Sequence, residues 1–417
     1  MDEPVIRDLT TPEDALRYSQ LASIAFHSKN AGLDDENAFK EQAAQSEARA
    51  LADKTRQGNH RTRTGLFRGD QLLSTLTAHA FEVNFDGSVC EMCGIGGVMS
   101  DPSAQKTGGV SKVLRHELAA MRERHQLFSH LYPFQTSFYR KFGYTHCAFA
   151  VKWTIPTQFL PEDPGSGNRL FDGSPEMRQA VRDIYRSFTA KYNLAVNRSD
   201  ARWEGIFDRI KPYSSGAFSY VCFRNGAPAG FLSYTVESYP DTPMTATVNH
   251  LYFSSPEALR SLLSHLGRQR SYISRVTLTL PADVDISAWL KELCSAYDKC
   301  NVHREILHQG ASRVVDVEKA LHLARYLGAG AANIRILDRD CPWNNKTFHV
   351  EFDNRCYCVS EAENWDIRLN IADFTALILG SRHLSEAPFM DSVEILGNVE
   401  NLRKIFYKKP LWIGDSF

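Results

Sequence analysis

The sequence predicts a mixed α+β protein of three successive units, and three observations carry that expectation. Short strands joined by glycine turns alternate with amphipathic helices. The same order recurs once after a stretch rich in Pro, Gly and Asp, "PEDPGSGNRLFDGS" at 161–174, and the texture changes again near residue 300. At 417 residues the chain exceeds a single ordinary core. The boundaries drawn from these breaks are 1–155, 156–298 and 299–417.

In the first unit, residues 12–27 place Leu16, Tyr18, Leu21, Ile24 and Ala25 inward on a helix. "TGLFRGDQLLSTLTAHAFEVNF" reads as two strands about a Gly-Asp turn. "CEMCGIGGVMSDP" is a third, glycine-rich strand ending at Pro102. After the loop "QKTGGV", Val110, Val113, Leu114, Leu118 and Met121 recur at helical spacing to about Arg124. "FSHLYPF" is the next strand, and "TSFYRKFGY" turns off it.

The second unit repeats this with a helix over 175–192. Strands "FSYVCFR" and "APAGFLSYTVESY" flank Asn225-Gly226, and the strand "TVNHLYF" feeds "SSPEALRSLLSHL". Its strand-to-helix junction lacks the glycines and carries Glu257, which suits a helix dipole and repels a phosphate. If the halves are duplicates, one site is alive and one has decayed. In the third unit "ASRVVDVEKALHLARYL" reads as a helix, "KTFHVEFDNRCYCVS" as a hairpin, "WDIRLNI" as a strand and "ADFTALILG" as a helix closed by Gly380. Asn398 caps "VENLRKIFYKK", and the sequence closes on the apolar "LWIGDSF".

A formal net charge of -1 gives no bulk attraction to nucleic acid. The acidic start "MDEPVIRDLT" is no secretory signal and no run reaches membrane-spanning length, so the expectation is a cytoplasmic protein without a membrane partner. Nine scattered cysteines fit reduced thiols. The pairs Cys90/Cys93 and Cys356/Cys358 lack further ligands at metal spacing, so buried small side chains and no metal are expected.

Chemistry concentrates at 105–118. Backbone N–H groups of a glycine loop leading into a helix make a phosphate site; Gly108 and Gly109 permit close approach and Lys106 adds charge. A tight turn is the commoner meaning of such a stretch. Gly94, Gly96 and Gly97 fail the dinucleotide pattern at Met99, and His116-Glu117 fails the metalloprotease pattern at Ala120.

The order strand, QKTGGV loop, helix, strand and FYRKFGY resembles the GNAT superfamily of acetyl-CoA-dependent N-acetyltransferases. Gln105 and Gly108 fit its pyrophosphate loop, with Val110 at the last small position. More narrowly, "GIGGVMSDP", "FYRKFGY", "RVVDVEKAL" and the three-part layout resemble the Eis acetyltransferases across the chain. That resemblance implies two tandem GNAT domains, the second degenerate, and a C-terminal domain like sterol carrier protein. It also implies acetyl-CoA as co-substrate, aminoglycoside, polyamine or lysine-bearing acceptors, and a hexamer.

Carried onto this sequence, Val98, Met99 and Ser100 would meet the pantetheine arm. Lys106, Thr107, Gly108, Gly109, Val110 and Ser111 would meet the diphosphate, and Phe134 and Gln135 would flank the thioester. Tyr139 would be the general acid, since a phenol lies close to a thiol in acidity, although a core tyrosine among Phe138, Phe142 and Tyr144 is the plainer reading. The main-chain carboxylate of Phe417 would anchor the amine and relay its proton; a frayed terminus is the usual state of chain ends. Asp34, Asp35, Glu36 and Asp415 are candidates for acidic walls around a polyamine. A second class of function, an acyl or lipid sensor, would use the C-terminal domain around "ADFTALILG".

Overall fold

The computed structural model describes residues 3–26, 61–163, 167–238, 243–295 and 299–417. The acidic triplet Asp34, Asp35 and Glu36 lies outside the described residues.

The first unit opens with β1 (Val5–Asp8) and α1 (Pro12–Ala25). Thr11 and Asp14 form a reciprocal capping box at the start of α1, and Pro12 presets its first turn. β2 (Arg61–Arg68), β3 (Gln71–Phe85) and β4 (Ser88–Ser100) then run as an antiparallel meander, with Asp86 and Gly87 at φ 49° and 82° in the tight β3–β4 turn. α2 (Gly109–Glu123) follows, burying Val113, Leu114, Leu118 and Met121 against the sheet, and β5 (Phe128–Leu131) and the short α3 (Thr136–Arg140) close the run.

The pairing of β4 with β5 is parallel and brief. It covers Met92–Ile95 against Phe128–Leu131, after which β4 continues to Ser100 with β3 as its partner. The two strands therefore open a wedge beyond Ile95. At that point the β3–β4 register slips between Thr75 and Thr77, and Gly97 turns to φ 54°, a bulge that re-aims the backbone of Gly97 and Val98.

The second unit comprises β6 (Phe149–Pro156), β7 (Gly167–Leu170), α4 (Pro175–Thr189), β8 (Val196–Asn197), α5 (Asp200–Arg209), β9 (Ala217–Arg224), β10 (Ala227–Glu237), β11 (Met244–Phe253), α6 (Pro256–Gly267) and β12 (Ile273–Pro281). Asn225 and Gly226 sit at φ 50° and 80°, the left-handed pair that a two-residue hairpin turn requires. A two-residue ladder, β13 (Cys294–Ser295) with β14 (Lys299–Cys300), precedes β15 (His303–His308), which pairs with β6 at the sheet edge. Here too a strand (β11) feeds a helix (α6) and pairs in parallel with its successor (β12).

The third unit departs from two sequence expectations. The predicted helix at 311–327 divides. β16 (Ala311–Val314) joins β5 as the last strand of the first sheet, and only α7 (Val317–Leu323) is helical, its start set by Asp316 accepting from the Lys319 amide. The β-branched Val314 and Val315 are buried and belong to the strand side of that break. β17 (Arg325–Leu337) follows at once. The predicted hairpin is instead one long strand, β18 (Thr347–Glu361), paired with β17, with Asn354 held at φ 57° inside it. β19 (Ile367–Asn370), α8 (Ile371–Ile378), β20 (Glu394–Ile395) and α9 (Val399–Ile405) complete the unit, with sheet order β18-β17-β19-β20.

Gly380 lies at φ 79° just past α8, as expected of a helix stop. Asn398 starts α9 from a left-handed backbone, while its side chain donates to the Ala331 carbonyl instead of capping the helix. The apolar α8 is core: Phe374, Leu377 and Ile378 are fully buried beside Leu402, Ile405 and Phe406. Cys90 and Cys93 are buried, whereas Cys356 and Cys358 are half-buried on β18, contrary to the expectation for that pair.

The C-terminal segment threads between the units. Leu411 bridges Asn193, Leu411 and Ile413 enter the core shared by the first and third units, and Trp412 enters that of the second. Among the described residues, no helix is long and apolar enough to cross a membrane.

Candidate active site

The start of α2 differs from those of the other long helices. Side chains of Thr11, Ser174, Ser199 and Ser255 cap α1, α4, α5 and α6, but Gly108, at φ 83°, offers α2 no capping group. Among the described residues the amides of Gly109, Val110 and Ser111 have no protein acceptor; the first amide of the helix to bond inward is that of Lys112, to the Gly108 carbonyl at 3.1 Å. These donors add to the positive end of the helix dipole.

Two glycines shape this cradle differently. A Cβ on Gly109 would lie 2.4 Å from the Ser74 hydroxyl, so only glycine lets α2 sit this low on β3, whereas Gly108 has open space around it and is required by its positive φ. Lys106 also adopts a left-handed backbone, φ 63°.

A cavity of about 760 Å³ runs from this helix start along β4 to α3. It brings together Val98, Met99, Ser100, Lys106, Gly108, Gly109, Val110, Ser111, Phe134 and Gln135. Thr107 does not line it; its hydroxyl turns back to the Ala104 carbonyl at 2.7 Å and holds the loop. Uncapped amides and a glycine-only approach fit a diphosphate, and the cavity continues far enough to receive an extended arm along the bulged β4.

At the α3 end, Tyr139 is 3% exposed and packed edge-on against Phe134, Phe138 and Tyr144, with ring centroids 5.6, 5.1 and 6.2 Å away. Burial pushes its phenol above the ordinary value, so it holds its proton throughout the neutral range but is a weaker acid than the thiol-like phenol expected from the sequence. Its hydroxyl has no hydrogen-bond partner among the described residues.

On the opposite face of β4, the Phe417 ring lies over Gly94 and within 5.0 Å of Phe81, 5.6 Å of Tyr132 and 5.8 Å of His130, ring to ring. Its main-chain oxygen lies 3.7 Å from the point where a Gly96 side chain would begin, and the His79 Nε2 lies 3.6 Å from that point. The terminal group thus reaches the bulge where the wedge opens. Burial, then Arg61, Arg202 and Arg63, hold the His79 imidazole down at about 4, so it is neutral at physiological pH.

Asp415 is not an acidic wall. It is 4% exposed and accepts from Arg198 Nε at 2.9 Å and Arg202 Nε at 2.7 Å, while Tyr132 donates to its carbonyl at 2.8 Å. Burial works to raise its carboxyl and the two guanidiniums prevail, leaving it below the ordinary value. Arg202 also donates to the Ser416 carbonyl at 2.8 Å. The second unit therefore grips the last residues on the first unit's sheet.

Residues 7–147 match the family described as an acetyltransferase (GNAT) domain, residues 194–304 match a second family of the same description, and residues 317–414 match a sterol carrier protein domain. The fold is that of Eis1 from Mycobacterium abscessus, TM-score 0.76 at 18% identity with all of both chains covered. The chain carries two acetyltransferase (GNAT) domains followed by a sterol carrier protein domain. A GCN5-related N-acetyltransferase from Anabaena variabilis shares the fold at TM-score 0.81 and 17% identity, again over all of both chains. An uncharacterized N-acetyltransferase of Streptomyces avermitilis is 23% identical over 293 residues, 66% of this chain and 68% of that relative. Another from Streptomyces griseus is 23% identical over 339 residues, 76% of this chain and 79% of that relative.

GNAT domains use acetyl-CoA as co-substrate, and the start of α2 presents three amides, unbonded among the described residues, of the kind a diphosphate takes. The corresponding helix of the second GNAT domain does not share that geometry: Ser255 occupies the Ala258 amide, and Glu257 stands in the first turn. Sequence reasoning missed several groups at the site. Phe138 and Lys141 line the cavity, and His79 faces Gly96 from the neighbouring strand. Alternation of Thr77, His79 and Phe81 opposite a glycine strand was the available signal for the last.

Proposed function

We propose that this acetyltransferase moves acetyl from acetyl-CoA to a primary amine of the aminoglycoside, polyamine or lysine side-chain kind, by direct attack in a ternary complex. Val98 to Ser100 and the 106–111 loop bind the coenzyme, Phe134 and Gln135 flank its acyl end, Tyr139 is the general acid and the Phe417 carboxylate is anchor and base. The supporting observation is that the uncapped amides of α2 line the same cavity as Phe134 and Phe138, the two rings against which Tyr139 packs.

Acetyl-CoA supplies the activated acyl group; the chain supplies position and protons. Amides of Gly109, Val110 and Ser111 hold the diphosphate, which fixes how far the thioester reaches along β4. Tyr139, kept protonated by burial, gives its proton to the departing sulfur. The Phe417 carboxyl, which makes no ion pair among the described residues, holds the acceptor ammonium; one proton passes from the ammonium to solvent before the nitrogen can attack, and the second, lost after attack, restores the Tyr139 phenol that has protonated the sulfur. An α-carboxyl of ordinary pKa about 3.5 is a weak base, so water takes the first proton. The enzyme is proposed to act in the cytoplasm as the hexamer that the Eis resemblance implies.

The test is thiol release from acetyl-CoA in the presence of a broad panel of primary amines. Release that requires both substrates is expected. Acetyl-CoA binding without release for any amine would refute the catalytic reading.

A further inference from the structure

The face of the first sheet that meets Phe417 is rich in guanidinium groups. Arg61 stands directly across from His79 in the β2–β3 ladder and Arg63 across from Thr77, so the four side chains share one face. Contacts bear this out. The His79 Nε2 and the Phe417 oxygen both approach Gly96, Arg63 Cζ lies 3.9 Å over the Tyr18 ring, and the Tyr18 hydroxyl bonds Thr77 Oγ1 at 3.2 Å beside Gly97. Arg202 borders the same face, 5.4 Å over the Phe81 ring, but is committed to Asp415 and Ser416. Arg61 is half-buried and has neither hydrogen bond nor ion pair among the described residues. Asp415, the one described carboxylate that sequence offered as an acidic wall, is neutralised by its two arginines.

A polycation entering here would place a second charge against Arg61, while its first amine met Phe417. A guanidinium partly withdrawn from water and without a partner is instead a receptor for an oxyanion, which it can bind through two parallel N–H groups. Resting on the amine-acetylation reading above, we propose that the acceptor carries an oxyanion, in the simplest case a carboxylate, on the same molecule as the acetylated amine, and that Arg61 receives it. The amine then lies at the Phe417 carboxylate and the acid one strand away, which orients the nitrogen toward the wedge. This acceptor is zwitterionic, in contrast to an aminoglycoside.

The test uses the full-length enzyme with acetyl-CoA and a series of ω-amino carboxylates of two to six carbons, each paired with its carboxamide, and with spermidine for comparison. Thiol release gives kcat/KM for each. The carboxylate of the best-fitting length is expected to exceed its amide by about ten- to a hundredfold, the worth of a charge-assisted pair. Arg61→Gln should remove that ratio and Arg61→Glu should invert it, both with amide turnover retained, which shows that the variants fold. Amides or spermidine used as well as the carboxylates, or a ratio indifferent to Arg61, would overturn this proposal while leaving amine acetylation standing. Silence toward every amine, whatever its charge, would instead refute the acetylation reading on which it rests.

Discussion

Tyr139 joins two properties that pull against each other in most proteins. It is packed among rings like any core tyrosine, yet its hydroxyl has no partner among the described residues, one layer behind Phe134 and Phe138, which line the cavity. Removing only that oxygen separates them: Tyr139→Phe keeps the packing and should lower kcat by about a hundredfold, the lower range for a general acid, with acetyl-CoA affinity unchanged. Stopped-flow thiol release and a binding titration check the two halves. Asp415 acts through another group, and Asp415→Asn should leave Arg198 and Arg202 facing a neutral amide and loosen the last two residues. kcat should then fall with little change in KM for acetyl-CoA; an unaltered kcat would separate the anchor from catalysis. Tyr139 and the loop glycines were legible because each belongs to a short local motif. His79, Arg198 and Arg202 were not, because strand register and contact between distant units bring them to the site.

At the scale of the element, α2 carries the site through what its start lacks. Gly109→Ala drives a methyl to 2.4 Å from the Ser74 hydroxyl and must lift the helix, so acetyl-CoA affinity should fall more than tenfold. Gly108→Ala meets no neighbour and bears only the left-handed penalty of about 1–2 kcal/mol, a loss of stability with a smaller effect on binding. Thermal unfolding and calorimetric binding of the two variants distinguish these costs. Periodicity found α2 and its apolar stripe without difficulty. It failed at 311–327, where a four-residue strand and a short helix share one apolar run, and at 347–361, where an asparagine in the left-handed region looked like a turn and is a distortion within a single strand. In both places the deciding partner, β5 or β17, is remote or reached only through tertiary packing.

Across the whole molecule, the three units interlock. β16 completes the first sheet, β8 pairs with β3, and the terminal segment is held by Arg198 and Arg202 of the second unit. A GNAT copy without a free helix start thus retains a use as the clamp that positions the chain end. Four histidines of the first two units, His130 buried and the others half-buried, tie stability to pH: loss of hydration holds His79, His250 and His265 at about 4 and His130 at about 3. In the unfolded chain such groups titrate near 6.5, so between about 6.5 and 4 the unfolded state binds more protons and stability must fall as pH falls. The melting temperature should therefore decline steadily from pH 7 to pH 4.5, a range in which most carboxylates are still ionised, and a flat profile would contradict the neutral state.

The proposed mechanism depends on where the coenzyme lies, and a crystal structure of the enzyme with acetyl-CoA tests that most directly. The predicted result is diphosphate oxygens on the amides of Gly109, Val110 and Ser111, with the acyl carbon at the β4 bulge between the Tyr139 hydroxyl and the Phe417 carboxyl. Coenzyme bound away from the start of α2, or an acyl group remote from Tyr139, would contradict it.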